Sequence, residues 1–229
     1  MTTNDMQDMA FGICIPNFRA GTDPETMLAA TQTAERLGWH SALATDHILV
    51  DSAPRGNDYR HIYEALTSIA WLAGQTTTVR LGMSVLVAPM RNAVVMAKEL
   101  ATIDALSDGR LIAGIGIGWN RTEFESVGEG ERFGHRGAWL EETVALWRHL
   151  WAGETGPYEG RYNGWQEGYF SPLPPQGARQ VGGGDEDGLG IPTSQQDLAQ
   201  SPFGLVNLSG REASRAEVAQ RLDEEVLVV

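Results

Sequence analysis

Lysine is almost missing from this chain: one lysine and sixteen arginines stand against thirty acids in 229 residues. The formal charge of −13 leaves no basic surface to displace counterions from phosphates, which argues against nucleic acid or an anionic membrane as partner. Cysteine is equally scarce. The one thiol, Cys14, lies in the apolar run FGICI, has no internal disulfide partner, and suits a core position better than a reactive one. There is no apolar run of about 18 residues or more, so no membrane-spanning helix is expected. The opening MTTNDMQDMA lacks the basic and apolar regions of a secretory signal, and the expectation is a cytoplasmic protein. The remaining composition, 42% apolar and 21% charged, is that of an ordinary globular chain long enough for one large domain.

The chain is organised around residues 110–124, RLIAGIGIGWNRTEF. An apolar strand, LIAGIGIG, runs into Trp119, Asn120 and an acidic, aromatic-bearing turn. Gly114, Gly116 and Gly118 alternate with apolar residues, so they share one face of the strand. Missing side chains there admit either a ligand, as a pocket floor would, or another part of the chain that needs the room. A strand apolar on both faces, with polar residues gathered at its C-terminal end, suits a parallel sheet covered by helices.

Around it the pattern repeats. FGICI (11–15) reads as a first strand. A helix follows, with Asp23 as N-cap, Pro24 at its first position and Gly38 at its end. Ser41 to Val50 reads as the second strand, carrying Thr45, Asp46 and His47, and a helix runs from about His61 to Gly74. The strand Val79–Pro89 and the helix Asn92–Leu106 make the third unit, closed by the turn SDGR. The helix His135–Trp151 completes the fourth, with Trp147 and Trp151 at helical spacing as core or subunit contact. Four β-then-α units predict a parallel sheet with right-handed crossovers. Residues 154–177 read as an irregular excursion, and 181–202 as a glycine-rich linker. Ala213–Leu222 reads as a last helix.

With these pieces placed, the first 180 residues resemble the luciferase-like flavin and deazaflavin oxidoreductases, in particular the branch that uses coenzyme F-420. The matching segments are ATDH (44–47), RLGMSVLVAPMRNAVVMAKELATIDALSDGRL (80–111), GIGIGWNRTEFESVG (114–128), EGRYNGW and PLPPQG. The resemblance implies a TIM (β/α)8 barrel with the cofactor lying across the C-terminal ends of the strands. It implies that His47 is an acid or base beside the deazaflavin ring, with Glu123 a second catalytic candidate. Asp46 would orient cofactor or substrate. Ser84 and Val85 would form a bulge, often a non-proline cis peptide, that backs the ring. The Gly116 backbone and Asn120 would contact the cofactor. A small organic molecule is the implied substrate, and no metal ligand set is read.

One departure stands out. A closed barrel takes about 250 residues, yet four units are spent by Gly153 and 76 residues remain. Where the family places a phosphate-binding turn, this chain has RQVGGGDEDG, whose Asp185, Glu186 and Asp187 would repel a phosphate. The expectation is an incomplete barrel over 1–180 with an irregular acidic tail over 181–229. A homodimer would cover the open sheet edges. FMN-dependent monooxygenation is the alternative chemistry; a shortened, non-catalytic flavin-binding or dimerising homologue is the alternative to catalysis.

Overall fold

Helices begin in this chain where a side chain can accept from the first turn's free N–H groups. In the computed structural model, which describes residues 11–50 and 59–177 together with the backbone of 204–207, Asp23 caps α1 (Pro24–Arg36) by accepting from Thr26 N–H. Glu64 does the same for α2 (Ala65–Ala73), Asn92 for α3 (Ala93–Leu106) and Asn120 for α4 (Arg121–Ser126). α5 (Arg136–Trp151) grows instead out of a 3-10 turn over Gly130–His135. The short helix α4 occupies what the sequence presents as a turn.

The strands are short and buried: β1 (Phe11–Cys14), β2 (Ser41–Ala44), β3 (Arg80–Met83), β4 (Leu86–Val87), β5 (Leu111–Ile112) and β6 (Ile115–Gly116). They pair in parallel. β9 (Gly204–Asn207) joins them in the order β5-β3-β2-β1-β9, while β4 and β6 pair with each other beyond breaks in β3 and β5. From β1 through β2 and β3 to β5 each strand lies beside the one before it with a helix between, which is the order of a barrel wall and not of a doubly wound sheet. The implied α/β barrel type is thus the architecture of the described wall.

Three details differ from the sequence patterning. β2 ends at Ala44 and not Val50, because Asn17 captures the next backbone groups: its Oδ1 accepts from Thr45 N–H at 3.0 Å and its Nδ2 donates to Thr45 O at 2.8 Å. The strand Val79–Pro89 is broken at Ser84–Val85, whose peptide bond is cis, as the family resemblance implies though the strand pattern does not. Finally, β9 arises within the stretch read as irregular tail. GLVN is too short to show a periodicity, and its backbone is satisfied by β1 in register, Phe11 opposite Gly204 and Cys14 opposite Asn207. The remaining expectations for 181–202, for Asp185 to Asp187 and for a helix over 213–222 lie outside the described residues.

At three glycines of the sheet and its strand ends, the space a side chain would need is filled by the protein itself. A Cβ on Gly82 would collide with the Ile112 carbonyl, and one on Gly116 with the Val85 side chain. Gly118, at φ +72°, faces Val87 and Phe124 in the same way. Of the two uses open to the period-two glycines, close internal packing is the one seen at Gly116 and Gly118.

Trp147 and Trp151 are core residues: their Nε1 groups donate to Ala93 O and Ala97 O at 2.8 and 3.2 Å, fastening α5 along α3. The later excursion forms a hairpin of β7 (Tyr158–Glu159) and β8 (Gly164–Trp165), and it returns to the sheet through Gln176, which bonds Asp104 and the Leu111 carbonyl.

Gly82→Ala should destabilise the fold by about 1 to 3 kcal/mol, the usual cost of overpacking. Gly137→Ala, within α5 and with open space where its methyl group would stand, should instead stabilise by about 0.4 to 1 kcal/mol. Denaturant unfolding of the two variants checks the opposite signs.

Candidate active site at the strand ends

The site is built where β2, β4 and β6 end. Asp46 lies two residues past β2 and is 2% exposed, so its charge must be met inside the protein. Its Oδ2 accepts from Val87 N–H at 2.8 Å and from Arg91 Nη1 at 2.7 Å, and its Oδ1 accepts from Arg91 Nη2 at 2.8 Å. The same Arg91 fork reaches Glu64 Oε1 at 3.0 Å. One guanidinium therefore ties the end of β2 to β4 and to the cap of α2. Burial alone would lower the Arg91 pKa, but Asp46 and Glu64 outweigh it and raise the value. Glu64 balances the other way: burial pushes its carboxyl up, and the donors Thr67 and Arg91 hold it below the usual carboxylate value.

His47 is 6% exposed, and its Nδ1 lies 2.9 Å from Glu123 Oε2. Glu123 is 1% exposed, on α4; its Oε1 accepts from Ile48 N–H at 2.6 Å and Leu49 N–H at 3.2 Å. With a carboxylate as acceptor, Nδ1 carries the proton and Nε2 is the nitrogen left for exchange. Glu123 thereby fixes the tautomer and the backbone of residues 47–49.

Aromatic rings cross the strand ends in a row. Phe18 stacks on Tyr59 at 5.1 Å, Tyr59 lies 4.6 Å from the His47 ring, and Trp119 meets His47 edge-on at 5.6 Å. Next to Trp119, Asn120 is 4% exposed. Its Oδ1 caps α4 through Thr122 N–H at 3.1 Å, while its buried Nδ2 has no partner. Ser84 and Val85 are half-buried at the ends of β2 and β6: Ser84 N–H donates to Ala44 O, and Val85 packs on Gly116. Cys14, within 3.7 Å of the Thr45 hydroxyl, has its thiol pKa raised by burial, as an unreactive cysteine does.

Of the residues singled out from sequence, Asp46, His47, Ser84, Val85, Gly116, Asn120 and Glu123 all lie at this end of the sheet. Asp46 and Gly116 turn their contacts inward, to Arg91 and Val85. Sequence reading missed Asn17, Arg91, Tyr59 and Trp119. A signal existed for Arg91, since a buried Asp46 demands a cation and APMRN offers one in the adjacent unit. Among the described residues, no acidic, His and Cys group is arranged to hold a metal, and no helix is long and apolar enough to cross a membrane.

A parallel β/α wall with its buried polar groups at the strand C-termini defines the barrel type of enzyme scaffold. Within that class the assignment is specific: the luciferase-like monooxygenase family matches residues 9–218, and the chain belongs to it. It is 31% identical over 160 residues to an F420-dependent glucose-6-phosphate dehydrogenase of Gordonia bronchialis, covering 67% of this chain and 45% of that protein. A second relative, the F420-dependent glucose-6-phosphate dehydrogenase 1 of Rhodococcus jostii, is 34% identical over 145 residues, covering 61% of this chain and 41% of that protein. The chain thus spans less than half the length of these relatives. Among solved structures, an F420-dependent secondary alcohol dehydrogenase in complex with an F420-acetone adduct superposes with a TM-score of 0.60 at 21% identity, covering 72% of this chain and 49% of that one. The oxygenating constituent of 3,6-diketocamphane monooxygenase from Pseudomonas putida, in complex with FMN, gives 0.60 at 18% identity over 74% and 49%. These two likenesses establish the fold.

Glu123→Ala strands one buried donor, His47 Nδ1, worth about 1 to 3 kcal/mol when left unmade, and frees the part-buried Ile48 and Leu49 N–H groups. The expected outcome is fast amide exchange at Ile48 and Leu49, with Glu123→Gln restoring protection through its remaining acceptor. Arg91→Ala leaves Asp46 buried without its partner and should cost about 3 to 5 kcal/mol in thermal or denaturant unfolding. Because the Glu64 carboxyl is held low, the stability it adds through Arg91 is complete above the ordinary carboxylate value. It should fade as pH falls through the lowered one.

Proposed function

We propose that this chain binds the isoalloxazine-like ring of a deazaflavin, coenzyme F-420, at the strand ends and acts as an oxidoreductase on a small organic molecule. The observation that carries the reading is Asn120 Nδ2, a buried donor with no partner in the protein, one residue from the ring that touches His47. A buried unmade donor is costly, and a ring carbonyl or nitrogen is the acceptor that would satisfy it. Half-buried Ser84 and Val85 supply a surface for the ring to lie against. Identity to the two F420-dependent dehydrogenases supports the deazaflavin over FMN.

When bound, the deazaflavin supplies a two-electron carrier for hydride. The protein's part is orientation and the balancing proton. His47, with Nδ1 engaged by Glu123, offers Nε2 to take a proton from an alcohol or return one to a carbonyl oxygen. Asp46 acts through Arg91 and the Val87 amide, holding the wall that carries Val85. A homodimer belongs to the same reading, as cover for the sheet edge at β5.

Absorbance after gel filtration tests the cofactor: F-420 should be retained, and FMN retained instead would favour the flavin chemistry. Asn120→Asp keeps the helix cap but replaces the donor by an acceptor, so F-420 affinity should fall about tenfold or more with unfolding unchanged. Equal affinity in that variant removes the main support. His47→Gln should lower turnover by roughly 10² to 10⁴ while the thermal midpoint stays within a few degrees.

A further inference from the structure

We propose that Trp119, with Ile48 and Ile117, is a specificity wall that admits an uncharged, apolar carbonyl compound or alcohol over His47 and rejects a sugar phosphate. This rests on the reading of His47 as the proton partner. Three large apolar side chains stand out toward solvent at this end of the sheet: Ile48 is 41% exposed, Ile117 41% and Trp119 47%. Two of them flank His47 directly, Ile48 as its chain neighbour and Trp119 through the edge-on contact at 5.6 Å. A group that meets the His47 ring from this side shares space with the indole.

The wall is held before any ligand arrives. Ile48 N–H is fixed by Glu123 at 2.6 Å, and Trp119 lies between Gly118, whose carbonyl accepts from Arg136 Nε at 3.1 Å, and the α4 cap. Pre-set apolar surface of this kind binds apolar groups with little ordering cost.

A phosphate would find poor company on the Trp119 side of His47, with Arg19 and Arg60 standing on the far side by Phe18 and Tyr59. Among the described cations nearby, Arg91 is spent on Asp46 and Glu64. Arg136 is spent on the carbonyls of Gly118 and Phe133. Arg121 lies over the Phe133 ring at 4.5 Å with Glu125 at 3.8 Å. The Glu123 carboxylate behind His47 adds repulsion.

Saturation-transfer NMR titrations with cyclohexanone and with glucose 6-phosphate test this on the full chain, both cofactor-free and after exposure to F-420. Cyclohexanone should bind saturably, and Trp119→Ala should weaken it about fivefold or more, with Trp119→Phe recovering most of the loss. Leu106→Ala, at the far end of α3 on a residue 79% exposed, should leave it unchanged. Glucose 6-phosphate binding as tight as cyclohexanone would overturn the proposal, as would a Trp119→Ala affinity equal to the parent or no saturable ketone binding in either form. Retention of F-420 is read by absorbance on the same samples. Loss of the cofactor reading is then seen separately from loss of the wall.

Discussion

The buried carboxylate of Asp46 is the constraint from which the site follows. A carboxylate with 2% exposure needs partners inside the protein, and Arg91 and Val87 N–H supply three hydrogen bonds from the neighbouring β/α unit. That requirement fixes β4 against the end of β2. It places Val85 against Gly116 and, through Glu64, sets where α2 begins. His47 follows Asp46 by one residue, so its position is inherited from the ion pair.

The unusual composition has the same logic. Several of the thirty acids are occupied by backbone amides and need no cation: Glu35 accepts from Thr77, Thr78 and Val79, and Glu142 from Arg161, Tyr162 and Asn163. Glu123 does so at the site itself. Each closes a loop by meeting N–H groups that would otherwise be orphaned. The arginines work as forked donors. Arg110 alone bonds Ser107 O, Val79 O, Ala73 O, Thr76 O and the Thr76 hydroxyl, joining the end of α2 to the start of β5. A lysine has three donors and no fixed fork, and it could not span those carbonyls, which gives the near absence of lysine a structural meaning.

Much of this was legible in the sequence because it depends on short-range chemistry. Asp23 and Pro24 announce α1, Asn92 announces α3, and the apolar runs mark four strands in parallel order. The clustering of His47 with Asn120 and Ser84 came from motif resemblance and not from periodicity. What stayed hidden depends on contacts distant in the chain. Asn17 ends β2 from 28 residues away, and Glu123 grips His47 from 76 away. Gly116 reads the same whether a ligand or Val85 fills the space beside it; only the fold decides. β9 has four residues and no pattern of its own, and it is a strand because β1 offers an open edge.

Among the described residues, those that touch His47 come from the stretch between Asn17 and Glu123. The segment after β1 contributes the Asn17 clamp, that after β2 the Asp46–His47 pair, β4 the Val87 amide and β6 the approach to Trp119 and Asn120. None of these contacts requires a residue beyond α4, although the curated relatives continue to more than twice this length of match. In a barrel the active site is shared among loops at one face, and different loops carry the ring and the phosphate of a bound cofactor. On the proposed reading, the four described units would supply one part of that division of labour, the ring end, where Asn120 Nδ2 still lacks an acceptor. On that reading, affinity for an intact cofactor would be set by how much of the binding free energy the ring alone supplies, and proton transfer at His47 by Glu123 and the aromatic row, both of which lie within the described wall.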